Sequence, residues 1–166
     1  VKRLRAFEME VIYTKRNRLP EATERDLGLT WIADRDELLR HSDFVVLMAT
    51  YNETTHKLIG AREFDLMKPS AFFVNTARGQ IIDEDALITA LSSGKLAGAG
   101  LDVFEHEPAV NPKLVKLARA GKVVLLPHMG SATIESRVDM GEKVMINIRA
   151  FLDGHEPPDR VLPGVS

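Results

Sequence analysis

The sequence contains no cysteine among its 166 residues. This absence excludes disulfide bonds, thiolate nucleophiles, cysteine-ligated zinc and iron–sulfur clusters. The 11 glycines and 8 prolines are too few for a low-complexity chain, and 45% hydrophobic residues indicate a globular protein. The five histidines show no metal-ligand spacing, so we expect no metal site. Any chemistry must therefore come from histidine, arginine, carboxylates or a bound cofactor.

The chain also lacks a strong charge imbalance and a long apolar run. Its net charge of −2 is too close to zero to indicate a nucleic-acid surface. No apolar stretch approaches the roughly 18–20 residues that a membrane span requires. Residues 1–30 carry charges throughout and have no hydrophobic core of a signal peptide. We therefore expect a cytoplasmic protein with neither a nucleic-acid nor a membrane partner.

Short apolar runs alternate with helical patterns along the chain. The runs are continuous, which is typical of strands covered on both faces, and they lie at 10–13, 44–48, 71–74, 96–101 and 123–126. Helical patterns lie between them at 36–41, 62–67, 84–91 and 113–118, and a long amphipathic helix is predicted at 133–152. This order predicts an α/β fold with a Rossmann-like, doubly wound parallel sheet.

A doubly wound nucleotide-binding fold normally opens with a strand, a glycine-rich turn and a helix. That turn is absent here, and Val1–Phe7 is typical of the second half of an amphipathic helix. We therefore expect a partial fold whose first βα unit is missing. Gly98-Ala99-Gly100 is similar to the turn, but it falls inside a predicted strand, where close packing accounts for the glycines.

Polar side chains follow the predicted strands, at the edge where open parallel sheets bind ligands. Arg78, Asp102, Glu107 and His128 are among them. Each has an ordinary explanation as a surface charge, a cap or a loop residue. Together, the arginine, a carboxylate and the histidine supply what reduction of a 2-oxo acid requires. The guanidinium can pair with the substrate carboxylate, and the histidine can donate a proton. The carboxylate is a partner that raises the pKa of the histidine. The hydride must come from a cofactor.

Three segments after predicted strands stand in the same order as the motifs of one family. They are Asn75-Thr76-Ala77-Arg78-Gly79, Gly100-Leu101-Asp102-Val103-Phe104 with Glu107-Pro108, and Pro127-His128-Met129-Gly130-Ser131-Ala132-Thr133. They resemble the D-isomer-specific 2-hydroxyacid dehydrogenases. The resemblance implies that Arg78 orients the substrate and that Glu107 and His128 form the acid–base pair. It also implies a nicotinamide-cofactor groove, with Asp102 holding the carboxamide, lined by Thr50, Thr76, Ala77, Arg78, His128 and Gly130.

Glu105 competes with Glu107 for the role of catalytic carboxylate. We prefer Glu107 because proline follows it directly, as in the family pattern. Glu105 is expected to face the solvent.

The resemblance also implies a domain organisation. Family members have a substrate domain built from both chain ends and a glycine-rich turn in the middle. We therefore expect residues 1–158 to form a cofactor-binding domain that is incomplete at its N-terminus. Residues 159–166 are expected to be a tail that returns to a substrate domain outside this sequence. Such a fragment is expected to be inactive alone.

The residues after the first apolar run predict which cofactor is preferred. NAD-specific relatives usually place an acidic residue there to bind the ribose hydroxyls, but this sequence has Thr14. Lys15, Arg16 and Arg18 follow, so no carboxylate repels a 2′-phosphate and cations are available to pair with it. We predict that NADP is preferred and that NAD stays possible. Tyr13–Arg16 also resembles the glyoxylate/hydroxypyruvate reductases of the family.

Three functions remain open at this point. The first is an oxidoreductase that reduces a small 2-oxo acid, such as glyoxylate or hydroxypyruvate, to a D-2-hydroxy acid. The second is a dinucleotide-sensing binding module similar to the corepressors that resemble this family. The third is an inactive fragment of the dehydrogenase. A homodimer is expected because related dehydrogenases pair through their cofactor domains.

Overall fold

A computed structural model describes residues 1–162 of the chain. By its internal contacts the chain divides into two compact units. The first runs from Val1 to Pro127, and the second begins at His128. The predicted tail at 159–166 lies partly outside the described residues, which end at Leu162.

The first unit alternates strands and helices, as the sequence predicts. Its strands are β1 Val11–Tyr13, β2 Leu29–Trp31, β3 Phe44–Leu47, β4 Phe72–Asn75, β5 Gly98–Leu101 and β6 Val123–Leu125. Its helices are α1 Lys2–Arg5, α2 Glu21–Leu27, α3 Arg35–His41, α4 Ala61–Leu66, α5 Glu84–Ser93 and α6 Pro112–Arg119, with a 3₁₀ turn at Gly79–Ile81. The five predicted strands and the four helices between them are confirmed, and both glycines of the 98–100 motif lie in β5.

All strand pairs in the described part of the chain are parallel. The larger sheet has the order β3-β4-β5-β6, and β1 pairs with β2 in a separate two-stranded sheet. Parallel neighbours need a crossover connection, which α4, α5 and α6 provide between successive strands of the larger sheet. The predicted Rossmann-like α/β architecture is therefore confirmed.

The sequence analysis missed α2 and β2, although α2 has recognisable ends. It starts directly after Pro20, has Glu21 and Glu24 in its first turn, and stops at Gly28, whose φ of +61° suits a residue without a Cβ atom. β2 has the polar Thr30 between Leu29 and Trp31, so it forms no continuous apolar run. The amphipathic helix expected at Val1–Phe7 is shorter than predicted: only α1 is helical, and none of its residues is buried.

The larger sheet buries one face and exposes the other. Val45, Leu47 and Phe73 on the buried face join a core with residues of α3, α4, α5 and α6. On the opposite face Phe44 and Phe72 are exposed and stack with ring centroids 5.4 Å apart. The prediction of strands covered on both faces is therefore wrong for this sheet. The physical reason is that the helices of the first unit add their core residues to one face only.

The second unit consists of the long helix α7, Ile134–Leu152, and the segments flanking it. The Thr133 side chain caps the helix by accepting a hydrogen bond from the Ser136 backbone N–H at 3.1 Å. Asp159 folds back onto α7, where it accepts hydrogen bonds from Asn147 and Lys143 that hold the pKa of its carboxyl below the usual value.

Within residues 1–162, no helix is long and apolar enough to cross a membrane.

Candidate active site

The four strands of the larger sheet end at the same level. Their register pairs Leu47 with Asn75, Asn75 with Leu101, and Leu101 with Leu125. The residues directly after the strands therefore share one edge, as predicted. The predicted site residues that the structure brings to this edge are Thr50, Thr76, Ala77, Arg78 and Asp102.

A buried asparagine shapes the turn that holds Arg78. Asn75, the last residue of β4, is fully buried. Its side-chain oxygen accepts a hydrogen bond from the Ala77 N–H at 3.0 Å, and its amide nitrogen donates to the Arg78 carbonyl at 3.0 Å. The exposed guanidinium of Arg78 is thus attached to a backbone that a buried side chain holds at two points. The sequence analysis gave Asn75 no role, although asparagine at a strand end is a known turn former.

The next residue, Gly79, packs directly against the segment that leads to Glu107. A Cβ atom at position 79 would overlap the backbone carbonyl of Phe104 and the backbone nitrogen of Glu105. The Gln80 side chain also donates to the Glu105 carbonyl at 3.0 Å. The absence of a side chain at Gly79 therefore lets the chain segments of Arg78 and Glu107 meet at van der Waals distance.

The two competing carboxylates have different surroundings. Glu107 is exposed, and its Oε1 accepts a hydrogen bond from the Phe104 N–H at 2.9 Å. Glu105 does not face the solvent freely, so that expectation was wrong. Its side chain is only 20% exposed, because it lies on the packed segment beside Gly79 with an oxygen 3.9 Å from the Lys57 ammonium. The preference for Glu107 as the catalytic carboxylate stays a prediction.

Thr76 and Asp102 lie directly after the neighbouring strands β4 and β5. Asp102 is buried, and its N–H donates to the Asn75 carbonyl at 3.0 Å, which extends the β4–β5 pairing by one step. The Thr76 hydroxyl lies 3.6 Å from the Met48 sulfur at the end of β3. The Thr50 carbonyl accepts a hydrogen bond from the Thr55 hydroxyl at 2.8 Å, which fixes the loop after β3. These residues form a polar rim on an apolar sheet.

We call residues 14–18, which follow β1, the basic loop. Thr14 is half-buried, whereas Lys15 and Arg16 are exposed. The Arg16 guanidinium donates to the Thr54 hydroxyl at 3.4 Å, so the basic loop meets the loop after β3. Open α/β sheets bind dinucleotides beyond the carboxyl ends of their strands, and both of these loops follow such ends. Arg18 differs from the other two cations because it is paired with Glu24.

His128 and Gly130 belong to the second unit. Both are exposed, and the backbone of His128 has φ +53°, in the left-handed region that non-glycine residues uncommonly adopt. Such residues often lie at functional sites, although Glu8 and Lys57 share this conformation. The assignment of His128 as a catalytic residue, and of His128 and Gly130 as cofactor-binding residues, stays a prediction.

Comparison with known proteins places this geometry in one family. Residues 1–130 match the family model described as "D-isomer specific 2-hydroxyacid dehydrogenase, NAD binding domain". A glyoxylate reductase of Thermococcus litoralis is 48% identical over 160 residues, which cover 96% of this chain and 47% of the relative. The chain thus spans about half the length of the curated relatives it matches.

Solved structures agree with the family match. A putative D-isomer-specific 2-hydroxyacid dehydrogenase from Polaromonas superposes with a TM-score of 0.89 at 34% identity, covering 97% of this chain and 49% of that one. An NADPH-dependent glyoxylate/hydroxypyruvate reductase from Sinorhizobium meliloti, solved with NADP and malonate, superposes with a TM-score of 0.87 at 32% identity, covering 96% and 48%. The chain therefore belongs to the D-isomer-specific 2-hydroxyacid dehydrogenases, and the match is to their NAD-binding domain.

Proposed function

We propose that this protein reduces a small 2-oxo acid, glyoxylate or hydroxypyruvate, to a D-2-hydroxy acid, with NADPH preferred over NADH. The observation that carries the proposal is the common edge of the larger sheet, where Arg78, Thr76 and Asp102 lie together after aligned strands. The glyoxylate reductase name of relatives at 44–48% identity supports the substrate class.

The proposed roles follow from the chemistry of each side chain. Arg78 pairs its planar guanidinium with the substrate carboxylate, which orients the neighbouring carbonyl group. His128 donates a proton to the carbonyl oxygen as negative charge develops there. Glu107 is the proposed carboxylate partner of that histidine, in the acid–base pair that the family resemblance implies. The reduced nicotinamide supplies the hydride that reaches the carbonyl carbon.

The cofactor preference rests on the basic loop. Neither Thr14 nor its two successors carries a carboxylate, and the exposed Lys15 and Arg16 offer positive charge for a 2′-phosphate. The NADP bound in the related Sinorhizobium meliloti structure agrees with this proposal. Asp102 is proposed to hold the nicotinamide carboxamide, with Thr50, Thr76, Ala77 and Gly130 lining the groove.

The domain limits and the assembly also stay proposals. We propose that residues 1–158 form the cofactor-binding domain, with 159–166 as a connection to a substrate domain, and that the protein forms a homodimer. A cytoplasmic location stays a prediction from composition.

The experiment that tests the function is a turnover assay of the protein expressed from its complete gene. Oxidation of NADPH and of NADH is followed with glyoxylate and with hydroxypyruvate. We expect faster turnover with NADPH, and we expect His128→Ala to lower kcat by about 10²- to 10⁴-fold, the usual contribution of a general acid. His106→Ala is the matched control, because His106 is an exposed histidine of the loop that holds Glu107.

Three outcomes would contradict parts of the proposal. Faster turnover with NADH would remove the cofactor preference and leave the dehydrogenase. Unchanged turnover in His128→Ala would remove the proton donor. No turnover with either substrate would favour a different 2-oxo acid as the substrate, or the corepressor-like binding module.

A further inference from the structure

The basic loop has three cations, but the protein itself neutralises one of them. The Arg18 guanidinium donates two hydrogen bonds to the Glu24 carboxylate of α2, from Nε to Oε1 at 2.8 Å and from Nη2 to Oε2 at 2.7 Å. The Glu24 side chain is only 9% exposed, so its carboxylate is largely shielded from water. A two-pronged pair of this kind fixes direction as well as distance.

The same carboxylate also holds both ends of the basic loop. The Tyr13 hydroxyl, at the end of β1, donates to Glu24 Oε1 at 2.7 Å, and it accepts a hydrogen bond from the Leu19 N–H at 2.9 Å. Hydrogen bonds from Arg18 and Tyr13 lower the pKa of Glu24 to about 2, so the carboxylate is ionised at neutral pH. Burial, together with the hydrogen bond to Glu24, raises the pKa of Tyr13, which keeps its hydroxyl a donor.

A third contact fixes Arg18 from the side of β2. Its guanidinium carbon lies 5.1 Å from the centre of the Trp31 ring, within the range of a cation–π interaction. Arg18 is therefore held between α2 and β2. Of the loop's cations, Lys15 and Arg16 are left for a ligand, and Arg16 lies against Thr54 of the neighbouring loop.

We propose that Glu24 is a positioning residue for cofactor selection, which through Arg18 and Tyr13 fixes the basic loop so that Lys15 and Arg16 meet the 2′-phosphate of NADPH. This inference rests on the proposed preference for NADPH. Without Glu24 the loop must be ordered when the cofactor binds, and that ordering costs affinity. NADH has no 2′-phosphate, so its affinity does not depend on the position of these cations.

The experiment measures the Kd of NADPH and of NADH by fluorescence titration of the protein expressed from its complete gene. Glu24→Gln is expected to weaken NADPH binding about tenfold and NADH binding less than about twofold. Arg18→Lys keeps the charge but loses the two-pronged pairing, and it is expected to act in the same direction. The control is Glu21→Gln, which makes the same charge change at a 75% exposed site on the same helix.

The test distinguishes a positioning role of Glu24 from a simple effect of net charge on NADPH binding. If only net charge mattered, Glu24→Gln and Glu21→Gln would both strengthen NADPH binding and Arg18→Lys would change nothing. Unchanged or tighter NADPH binding in Glu24→Gln and Arg18→Lys, alongside a lower NADPH preference in Arg16→Ala, would overturn the role of Glu24 and leave the proposed function standing. A wild-type protein that prefers NADH would overturn both. Unfolding temperatures measured beside the titrations identify any variant that fails to fold, and Arg18→Lys, the milder change, then decides the outcome.

Discussion

Two turns at strand ends of the first unit are held in different ways. The turn at 75–80, which holds Arg78, is fixed by a fully buried amide and by a glycine in contact with another backbone segment. The basic loop is fixed by an ion pair whose arginine side chain is 46% exposed. Contacts of the first kind permit few substitutions, whereas polar side chains at a surface are exchanged more easily. We infer that the turn at 75–80 is constrained by packing and the basic loop by the side chains that pair across it.

The largest effect on stability is expected from Gly79→Ala. The added methyl group would overlap the Phe104 carbonyl, so the two segments must separate, at a cost of about 3 kcal/mol. The measurement is urea unfolding of the chain followed by the fluorescence of Trp31, its single tryptophan. Gly100→Ala is the control: its Cβ atom meets only Val74, at 3.9 Å, and the change should stay below about 1 kcal/mol. Equal losses of stability in the two variants would contradict the inference that packing constrains the turn at 75–80.

A smaller loss is expected from Asn75→Ala. It leaves the Ala77 N–H and the Arg78 carbonyl without their partner, which should cost about 2 kcal/mol at a buried site. Asn52→Ala is a matched control, since Asn52 accepts from the Thr54 N–H at 2.9 Å in the same two-residue spacing but is exposed to water. If both variants unfold at the same urea concentration, burial does not distinguish the turn at 75–80 from an ordinary surface turn.

The smallest effect concerns Glu24 and depends on pH. Its pKa of about 2 in the folded protein lies below its ordinary value of 4.5, so its ionised form stabilises the fold above about pH 4.5. That stabilisation is lost as the pH falls towards 2. The urea midpoint of the wild-type chain should therefore fall more steeply between pH 5 and pH 2 than that of Glu24→Gln. Parallel curves would show that the pair contributes nothing, as many ion pairs at a surface do.

The sequence predicts much of the fold because its long-range pattern is simple. Continuous apolar runs and the helices between them identify five of the six strands in the described part of the chain. The sixth, β2, is interrupted by the polar Thr30, so it lacks the continuous apolar run by which the other five are identified. The exposed face of the larger sheet was missed for a different reason. Val46 and Phe72 are as apolar as their buried neighbours, and only packing shows which face is covered.

The residue types of the candidate site could be predicted from the sequence, but the side chains that fix its loops could not. Strand-end position alone brings Arg78 and Asp102 to one edge, which the register confirms. The groups that fix the basic loop could not be predicted in this way. Glu24 lies in a helix that the sequence analysis missed, and its partner Arg18 was counted as one of the cations available to a phosphate. No spacing rule shows that these two charges face each other.

The four strands of the larger sheet end at the same level, and this alignment limits where residues can be inserted or deleted. Side chains alternate faces along a strand, so the loss of one residue inside β4 would bring Phe72 to the buried position of Phe73 and turn Asn75 away from its turn. Residues added in the loop after β3 would leave the aligned ends unchanged. Length variation among relatives of this chain should therefore fall between the strands, and the distance along the chain from Phe73 to Arg78 should stay constant.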